Sequence, residues 1–279
     1  MRLLPILFLV ACPQGADKPE DVPDTDGDGL DDEEEADLGT DPENADSDFD
    51  LVGDADEVDG GTDPVDADSD DDTYLDGWEQ IEGTDPLDAD SRIYTGYWPY
   101  NVSKDEMEAG EMSGTARGSS TLPRFAYTDQ HNETLDGFDY GLQGKLTIVD
   151  TSALWCYYCH ELAKMLEGKR SFFDDYAGTY SWVEGLGPLI EDGTIQWITI
   201  LTQDGNYDTI SHREANTWYD EYPNPKIPVL ADEEKEWEAW VNPTGFPTLM
   251  LVDENMKMVE FDRSDYTVVL NAAMEAVGE

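Results

Sequence analysis

Val149-Asp150-Thr151-Ser152-Ala153-Leu154-Trp155-Cys156-Tyr157-Tyr158-Cys159-His160 joins two patterns of opposite kind. The run Leu146-Thr-Ile-Val-Asp150 leading into it reads as a short buried strand, and residues 156 to 167 read as a helix with Leu162, Met165 and Leu166 inward. The cysteine pair therefore falls where a strand hands over to a helix. Unpaired backbone amides and the dipole at a helix N-terminus favour a thiolate, which makes Cys156 the expected nucleophile. Cys159, one turn later, is placed to attack a mixed disulfide formed on Cys156 and close the pair.

Outward from this junction, strand and helix patterns alternate. Ile195-Gln-Trp-Ile-Thr-Ile-Leu201 reads as a second strand, Ser211 to Tyr219 as a helix, Pro247 to Val252 and Met256 to Phe261 as two more strands, and Val268 to Val277 as a closing helix. Alternation of this kind implies an α/β fold.

Over residues 119 to 279 the chain resembles the thioredoxin superfamily, in its TlpA-like and redoxin branches. Four features carry the resemblance: the strand Val149-Asp150 through Trp155-Cys156, with an acid six positions before the first cysteine; Gly245-Phe246-Pro247-Thr248 before a strand; Leu122-Pro-Arg-Phe-Ala-Tyr-Thr-Asp129 followed by Gly144-Lys145, like an opening hairpin; and Ile227-Pro-Val-Leu-Ala-Asp232. The resemblance implies a central mixed sheet flanked by helices and thiol-disulfide oxidoreductase activity on protein dithiols and disulfides, with a separate redox partner. It assigns Cys156, Cys159, Asp150, Trp155 and Pro247 to catalysis, with Pro247 in a cis-proline loop. Phe246, Thr248, Tyr157 and Tyr158 are assigned to the substrate. The dithiol then needs no further cofactor. Read from the residues alone, Asp150 is either a strand-end cap or a buried acid that relays the Cys159 proton, and Trp155 either packs or acts.

The pattern departs from the family in three places. Tyr157-Tyr158 replaces the usual proline-containing dipeptide between the cysteines, the 91 residues from Cys156 to Pro247 imply an inserted segment between Gly168 and Gly193, and Val149 and Ala153 stand where peroxiredoxins carry Pro and Thr. Peroxidase chemistry is disfavoured accordingly. Cys156-x-x-Cys159-His160 also satisfies the c-type haem attachment motif, an electron-transfer alternative in which thioethers consume both thiols.

The N-terminal third is of another character. Gly-Thr-Asp-Pro recurs at Gly39, Gly61 and Gly83, a period of 22 residues, and acidic clusters begin at Asp24, Asp46 and Asp68 on the same step. Within each cluster, positions 1, 3, 5, 9 and 12 are acidic: Asp24, Asp26, Asp28, Asp32, Glu35; Asp46, Asp48, Asp50, Asp54, Glu57; Asp68, Asp70, Asp72, Asp76, Glu79. This is the ligand spacing of an EF-hand-type calcium loop, with Leu30, Val52 and Tyr74 offering the position-7 carbonyl. Gly29 fills the sharp sixth position only in the first loop; Leu51 and Thr73 fill it in the others. Over residues 24 to 91 the array resembles thrombospondin type 3 repeats without their cysteines, so calcium would be its staple. Dockerin units lack the Gly-Thr-Asp-Pro signature. Arg92 stands where a fourth loop needs its second ligand, which ends the array.

A formal net charge of −51, from 66 acidic against 15 basic residues, excludes nucleic acid as a partner and points to cations. Met1-Arg2 and the apolar run Leu3 to Val10 read as an export signal, and Leu9-Val10-Ala11-Cys12 resembles a bacterial lipobox. The expectation is a signal peptide over 1 to 11, lipidation of Cys12 as a membrane anchor, a short linker to 23, and residence in the bacterial cell envelope. Cys156 and Cys159 are then the remaining pair of three cysteines. Residues 92 to 118, rich in Gly, Ser and Met, read as a linker or extension. A calcium-dependent adhesion protein with a non-catalytic redoxin domain is the remaining alternative.

Overall fold

The computed structural model describes residues 23–176, 178–180 and 182–278, and the chain divides between Arg92 and Ile93 into two units. Cys12 and the export signal lie outside the described residues. Among those described, no helix is long and apolar enough to cross a membrane.

In the first unit each repeat is a loop followed by a seven-residue helix: α1 (Asp32–Leu38), α2 (Asp54–Gly60) and α3 (Asp76–Glu82). The Gly-Thr-Asp-Pro signature explains how each one stops. Its glycine adopts the left-handed conformation, with φ of 95°, 95° and 85° at Gly39, Gly61 and Gly83, and its amide closes on the carbonyl of Glu35, Glu57 or Glu79. The threonine hydroxyl then reaches back to the same glutamate: Thr62 and Thr84 bond the carboxylates of Glu57 and Glu79 at 3.2 and 2.9 Å. The aspartate amide bonds the serine at position 2 of the next loop, Ser47, Ser69 or Ser91, at 2.8 to 3.0 Å. Helices this short do not persist on propensity, and Val52 and Tyr74 are among the few apolar side chains buried here.

The second unit is built on one seven-stranded sheet. In chain order its elements are β1 (Ala126–Thr128), β2 (Thr134–Asp136), β3 (Leu146–Ala153), α4 (Tyr157–Leu166), α5 (Leu186–Glu191), β4 (Ile195–Gln203), α6 (His212–Glu221), β5 (Val229–Ala231), α7 (Glu236–Val241), β6 (Thr248–Val252), β7 (Met258–Asp262) and α8 (Tyr266–Val277). The strands lie in the order β2-β1-β5-β4-β3-β6-β7. β3, β4 and β5 are parallel, β6 and β7 return antiparallel on one side, and the β1–β2 hairpin closes the other. The continuous Val/Ile/Leu character of β3 and β4 follows from burial on both faces. One core cluster gathers Ile148, Leu162, Trp197, Leu249, Leu251 and Leu270; another gathers both cysteines with Leu201, Ala215 and Trp218.

The expected strands and helices are present, with changes at their ends and between them. β3 runs past Asp150 to Ala153 because β4 continues beside it to Gln203. β7 starts at Met258, since Met256 is a turn residue with φ of 56°. The segment between Gly168 and Gly193 is not a surface loop: Phe173, Trp182, Leu186 and Ile190 from it are buried in the core. Burying about 150–250 Å² of one tryptophan at about 25 cal/mol per Å² contributes roughly 4–6 kcal/mol before entropy is counted.

Residues 93–118, expected as a linker or extension, pack into the second unit and so do not act as a free linker. Tyr94, Trp98 and Tyr100 are buried, the Trp98 indole donates to Asp129 at 2.9 Å, and the Tyr94 hydroxyl donates to Asp139 at 2.6 Å.

Candidate functional site

β3 ends at Ala153, the chain turns through Leu154 and Trp155, and Cys156 caps α4 with its own side chain. The Cys159 amide, at the third position of the helix, donates to Cys156 Sγ at 3.1 Å. A sulfur that accepts a helix amide and lies at the positive end of the dipole is favoured as a thiolate when reduced. Here Cys156 and Cys159 are joined as a disulfide with Cα atoms 5.3 Å apart. Both sulfurs belong to buried residues, Cys156 4% and Cys159 1% exposed, so Cys156 is the more accessible by a narrow margin.

The sheet register brings the proline loop to this corner. Thr248 pairs with Thr151 across the antiparallel β3–β6 ladder, so Phe246 and Pro247 project toward the dithiol. The Phe246–Pro247 bond is cis, as expected, and the Phe246 carbonyl oxygen lies 3.2 Å from Cys156 Sγ. The Thr248 side chain, assigned to the substrate, is buried instead and donates to the Gly245 carbonyl at 2.7 Å, so it shapes the loop from behind. Around the sulfurs lies an aromatic rim: Trp155 at 40%, Tyr157 at 58% and Tyr158 at 43% exposure. The Trp155 ring meets Phe246 edge-on at 5.6 Å and Tyr207 at 4.9 Å. Its indole nitrogen donates to Gln203 Oε1 at 2.8 Å, and Gln203 in turn donates to Glu238 at 2.5 Å. Gln203, Tyr207 and Glu238 carry no motif and were invisible in the sequence.

Asp150 lies one turn of the strand pattern before the dithiol loop and is almost wholly buried. Among the described residues its partners are two hydroxyls: Ser152 donates to Oδ1 at 2.7 Å and Thr199 to Oδ2 at 3.5 Å. Burial pushes its carboxyl up from 3.8 to about 7, against the smaller lowering effect of the two hydroxyls. Ser152 was within reach of sequence reasoning, since i and i+2 share a face of a strand. His160 packs on Trp218 with both ring nitrogens engaged, Nδ1 with the Tyr222 hydroxyl at 2.8 Å and Nε2 with the Leu154 carbonyl at 2.7 Å. Ligating iron would require breaking one of these bonds.

In the repeats, the acids at positions 1, 3 and 5 converge. Carboxylate oxygens of Asp24, Asp26 and Asp28, of Asp46, Asp48 and Asp50, and of Asp68, Asp70 and Asp72 lie within 4.8 Å of one another in each group, an arrangement able to hold a metal. Position 12 contributes buried glutamates, Glu35, Glu57 and Glu79. Oxygens of Asp26, Asp48, Asp70, Glu35, Glu57 and Glu79 are buried with no hydrogen-bond partner, which a cation would satisfy. Burial, followed by neighbouring carboxylates, raises Glu35 to about 7 and Glu57 to about 8; Glu79 reaches about 7 through burial and its Asp neighbours, opposed by the Thr84 hydroxyl.

Position 9 departs from the expected ligand set. Asp32, Asp54 and Asp76 accept the position-2 amides of Thr25, Ser47 and Ser69 at 2.8 to 2.9 Å, so they brace their own loops and do not join the three acids at its mouth. Leu30, Val52 and Tyr74 donate their amides to Asp28, Asp50 and Asp72, which orients the position-5 carboxylates. The sixth position is left-handed in all three loops, with φ of 117° at Gly29, 89° at Leu51 and 88° at Thr73, so the side chains of the latter two are strained there.

Among known families, the model described as the bacterial TSP3 repeat matches residues 24–45, 54–67 and 68–89. A search of the curated proteins finds no match. Solved structures similar to this chain include the exposed lipoprotein thioredoxin Etrx1 of Streptococcus pneumoniae, 17% identical over 55% of this chain and 98% of that one, with a TM-score of 0.39. They also include a thioredoxin-like protein of Bacteroides caccae, 11% identical over 60% and 52%, with a TM-score of 0.42. A third is a putative thiol:disulfide interchange protein DsbE of Chlorobium tepidum, 16% identical over 58% and 98%, with a TM-score of 0.39. With the C-x-x-C pair at the start of α4 and the cis-proline loop entering β6 beside it, the chain joins bacterial TSP3 repeats, between residues 24 and 89, to a domain of thioredoxin-like fold.

Proposed function

We propose that the second unit is a thiol-disulfide oxidoreductase acting on protein dithiols and disulfides, carried by a calcium-binding repeat array. The observation that carries this reading is the placement of Cys156 Sγ, between the α4 amide of Cys159 at 3.1 Å and the Phe246 carbonyl at 3.2 Å. In the reducing direction the Cys156 thiolate attacks one sulfur of a substrate disulfide, and the other leaves as a thiolate. Cys159, losing its proton, attacks Cys156 Sγ; the second substrate thiolate leaves and the Cys156–Cys159 disulfide forms. Two electrons pass to the substrate, and an external dithiol restores the pair. Asp150 is the group assigned to take and return the Cys159 proton, because its raised value places it between acid and base near neutral pH. The backbone of Phe246 presents an edge to the substrate chain, and Trp155, Tyr157 and Tyr158 form the apolar rim against which it rests.

The repeats are read as calcium sites at positions 1, 3, 5 and 12, supported by oxygen-only donors and by buried carboxylate oxygens lacking partners. Bound calcium would supply the positive charge these carboxylates need to remain ionised. Lipidation at Cys12 and residence in the cell envelope rest on the lipobox-like Leu9-Val10-Ala11-Cys12.

Trapping tests the redox reading. With Cys159→Ala, oxidised protein substrates should accumulate as adducts on Cys156 that dithiothreitol releases, and Cys156→Ala should form none. Absence of adducts from the Cys159→Ala protein with a panel of disulfide substrates would refute it.

A further inference from the structure

His160 follows Cys159 in α4, and its ring reaches back to the turn that delivers Cys156. Nε2 lies 2.7 Å from the carbonyl of Leu154, two residues before Cys156, and Nδ1 lies 2.8 Å from the hydroxyl of Tyr222, just past the end of α6. The Tyr222 hydroxyl donates to Glu221 Oε1 at 2.6 Å. Trp218 and Tyr222 are buried in the cluster that holds both cysteines.

These contacts fix the hydrogens on the ring. A carbonyl oxygen only accepts, so Nε2 carries a hydrogen. A hydroxyl has one hydrogen to give, and that of Tyr222 goes to the Glu221 carboxylate; its oxygen therefore meets Nδ1 as an acceptor, and Nδ1 carries a hydrogen as well. An imidazole with a hydrogen on each nitrogen is a cation, and the Trp218 ring, its centroid 4.7 Å away, favours one. The charged groups around it are Glu221 at the end of α6, Glu161 and Lys164 on α4, and Glu167 at the α4 C-cap. Glu161 is paired with Lys164 at 2.7 Å and Glu167 with Lys169 at 2.6 Å, which leaves Glu221 to balance the imidazolium through the Tyr222 oxygen.

We propose that His160 is a positioning residue of the redox site: a fixed imidazolium beside the dithiol that favours its reduced form, with Tyr222 and Glu221 holding the charge in place. This rests on the oxidoreductase reading above. Reducing the Cys156–Cys159 disulfide takes two electrons and one proton to give the Cys156 thiolate and the Cys159 thiol. A nearby cation stabilises that thiolate, so it shifts the pair toward the dithiol and makes the disulfide the stronger oxidant. The α4 dipole acts in the same direction, and the ring adds a full charge to it.

The full-length protein with 15N-labelled histidine tests the charge, and His160→Gln identifies the His160 signals among those of the three histidines. At about pH 8, where an unperturbed histidine is neutral, both ring nitrogens of His160 should show the protonated signature. Equilibration with reduced and oxidised glutathione tests the role. His160→Gln should lower the ratio of dithiol to disulfide about three- to tenfold and raise the pH at which Cys156 ionises by about half to one unit. Tyr222→Phe keeps the Leu154 bond but removes the acceptor at Nδ1, and should shift both the same way by less. A neutral His160 ring in the wild type overturns the proposal however the variants fold, and so does an unmoved equilibrium in His160→Gln. If the wild-type dithiol does not exchange with glutathione, the oxidoreductase reading fails and takes the proposed role with it, while the ring spectrum still reports the charge.

Discussion

Replacing Asp150 by Asn should stabilise the thioredoxin-like domain in a strictly pH-dependent way. The carboxyl stands at about 7 in the fold against an ordinary 3.8, raised by burial. Its folded value is raised, so its contribution is most favourable below the unfolded value and is lost as pH climbs through the folded one. Above neutral pH the folded state carries a buried charge that the Ser152 and Thr199 hydroxyls solvate at 2.7 and 3.5 Å. About three pH units at about 1.4 kcal/mol each put that cost at roughly 4 kcal/mol. The amide is close in shape, its oxygen can accept from Ser152, and its NH2 faces Thr199. Urea unfolding at intervals between pH 4 and 9 should show the two proteins nearly equal at the acid end, diverging from pH 4 to 7, and separated by a constant amount beyond. A difference independent of pH, or a variant less stable at pH 8, would show that Asp150 is not the buried titrating group.

Ser152→Ala removes the nearer donor to the ionised carboxylate, worth about 1.5–3 kcal/mol for a charged acceptor; the pH midpoint of turnover should move up by about one unit or more, and an unmoved profile would count against the Asp150 assignment. Leu51→Gly relieves a left-handed residue that is 58% exposed, so little burial is lost; net of glycine's entropy this is about 0.5–1 kcal/mol, or a roughly 2- to 5-fold tighter calcium site by calorimetry, and weaker binding would refute the strain. In the reduced protein, alkylation at graded pH should find Cys156 ionising well below about 8.5; a more acidic and more reactive Cys159 would reverse the nucleophile assignment. Chelating calcium should erase the circular dichroism contributed by α1, α2 and α3 and leave the near-ultraviolet signal of Trp182, Trp197 and Trp237 unchanged, since those three tryptophans are fully buried in the other unit; coincident loss of both would refute independent folding.

What the sequence showed and what it hid divide by chain distance. The dithiol at a strand-to-helix junction is a local statement, complete within a dozen residues, and the structure places it as read; Gly-Thr-Asp-Pro, read only as a repeat signature, proves to end each short helix. Trp155 is fixed by Gln203, 48 residues away, and Asp28 and Asp50 reach 27 residues forward; no periodicity announces either contact. Of the linker or extension read over residues 92 to 118, the packing of Trp98 on Asp129 and of Tyr94 on Asp139 lies far along the chain and was hidden for the same reason. α7 escaped because six residues between left-handed Lys235 and Asn242 offer too little period to detect. At position 9 one carboxylate oxygen of Asp32, Asp54 and Asp76 braces the loop's own second residue, a contact that ligand spacing does not reveal.

The buried carboxylates separate the chemistry of the chain into three solutions of one problem. An acid taken out of water must find a cation, find enough donors, or keep its proton. The repeats cluster their acids on one another, an arrangement able to hold a cation. Asp139 is paired: Lys104 lies 2.9 Å away, the Tyr94 hydroxyl donates at 2.6 Å and the Asn101 amide at 3.0 Å, which makes it a structural anchor. Asp150 has, among the described residues, two neutral hydroxyls as its donors, and it sits on the strand that delivers Cys156. Burial raises it to about 7, and in the proposed reaction a dithiol that must shed protons to form its disulfide is what such a group can serve.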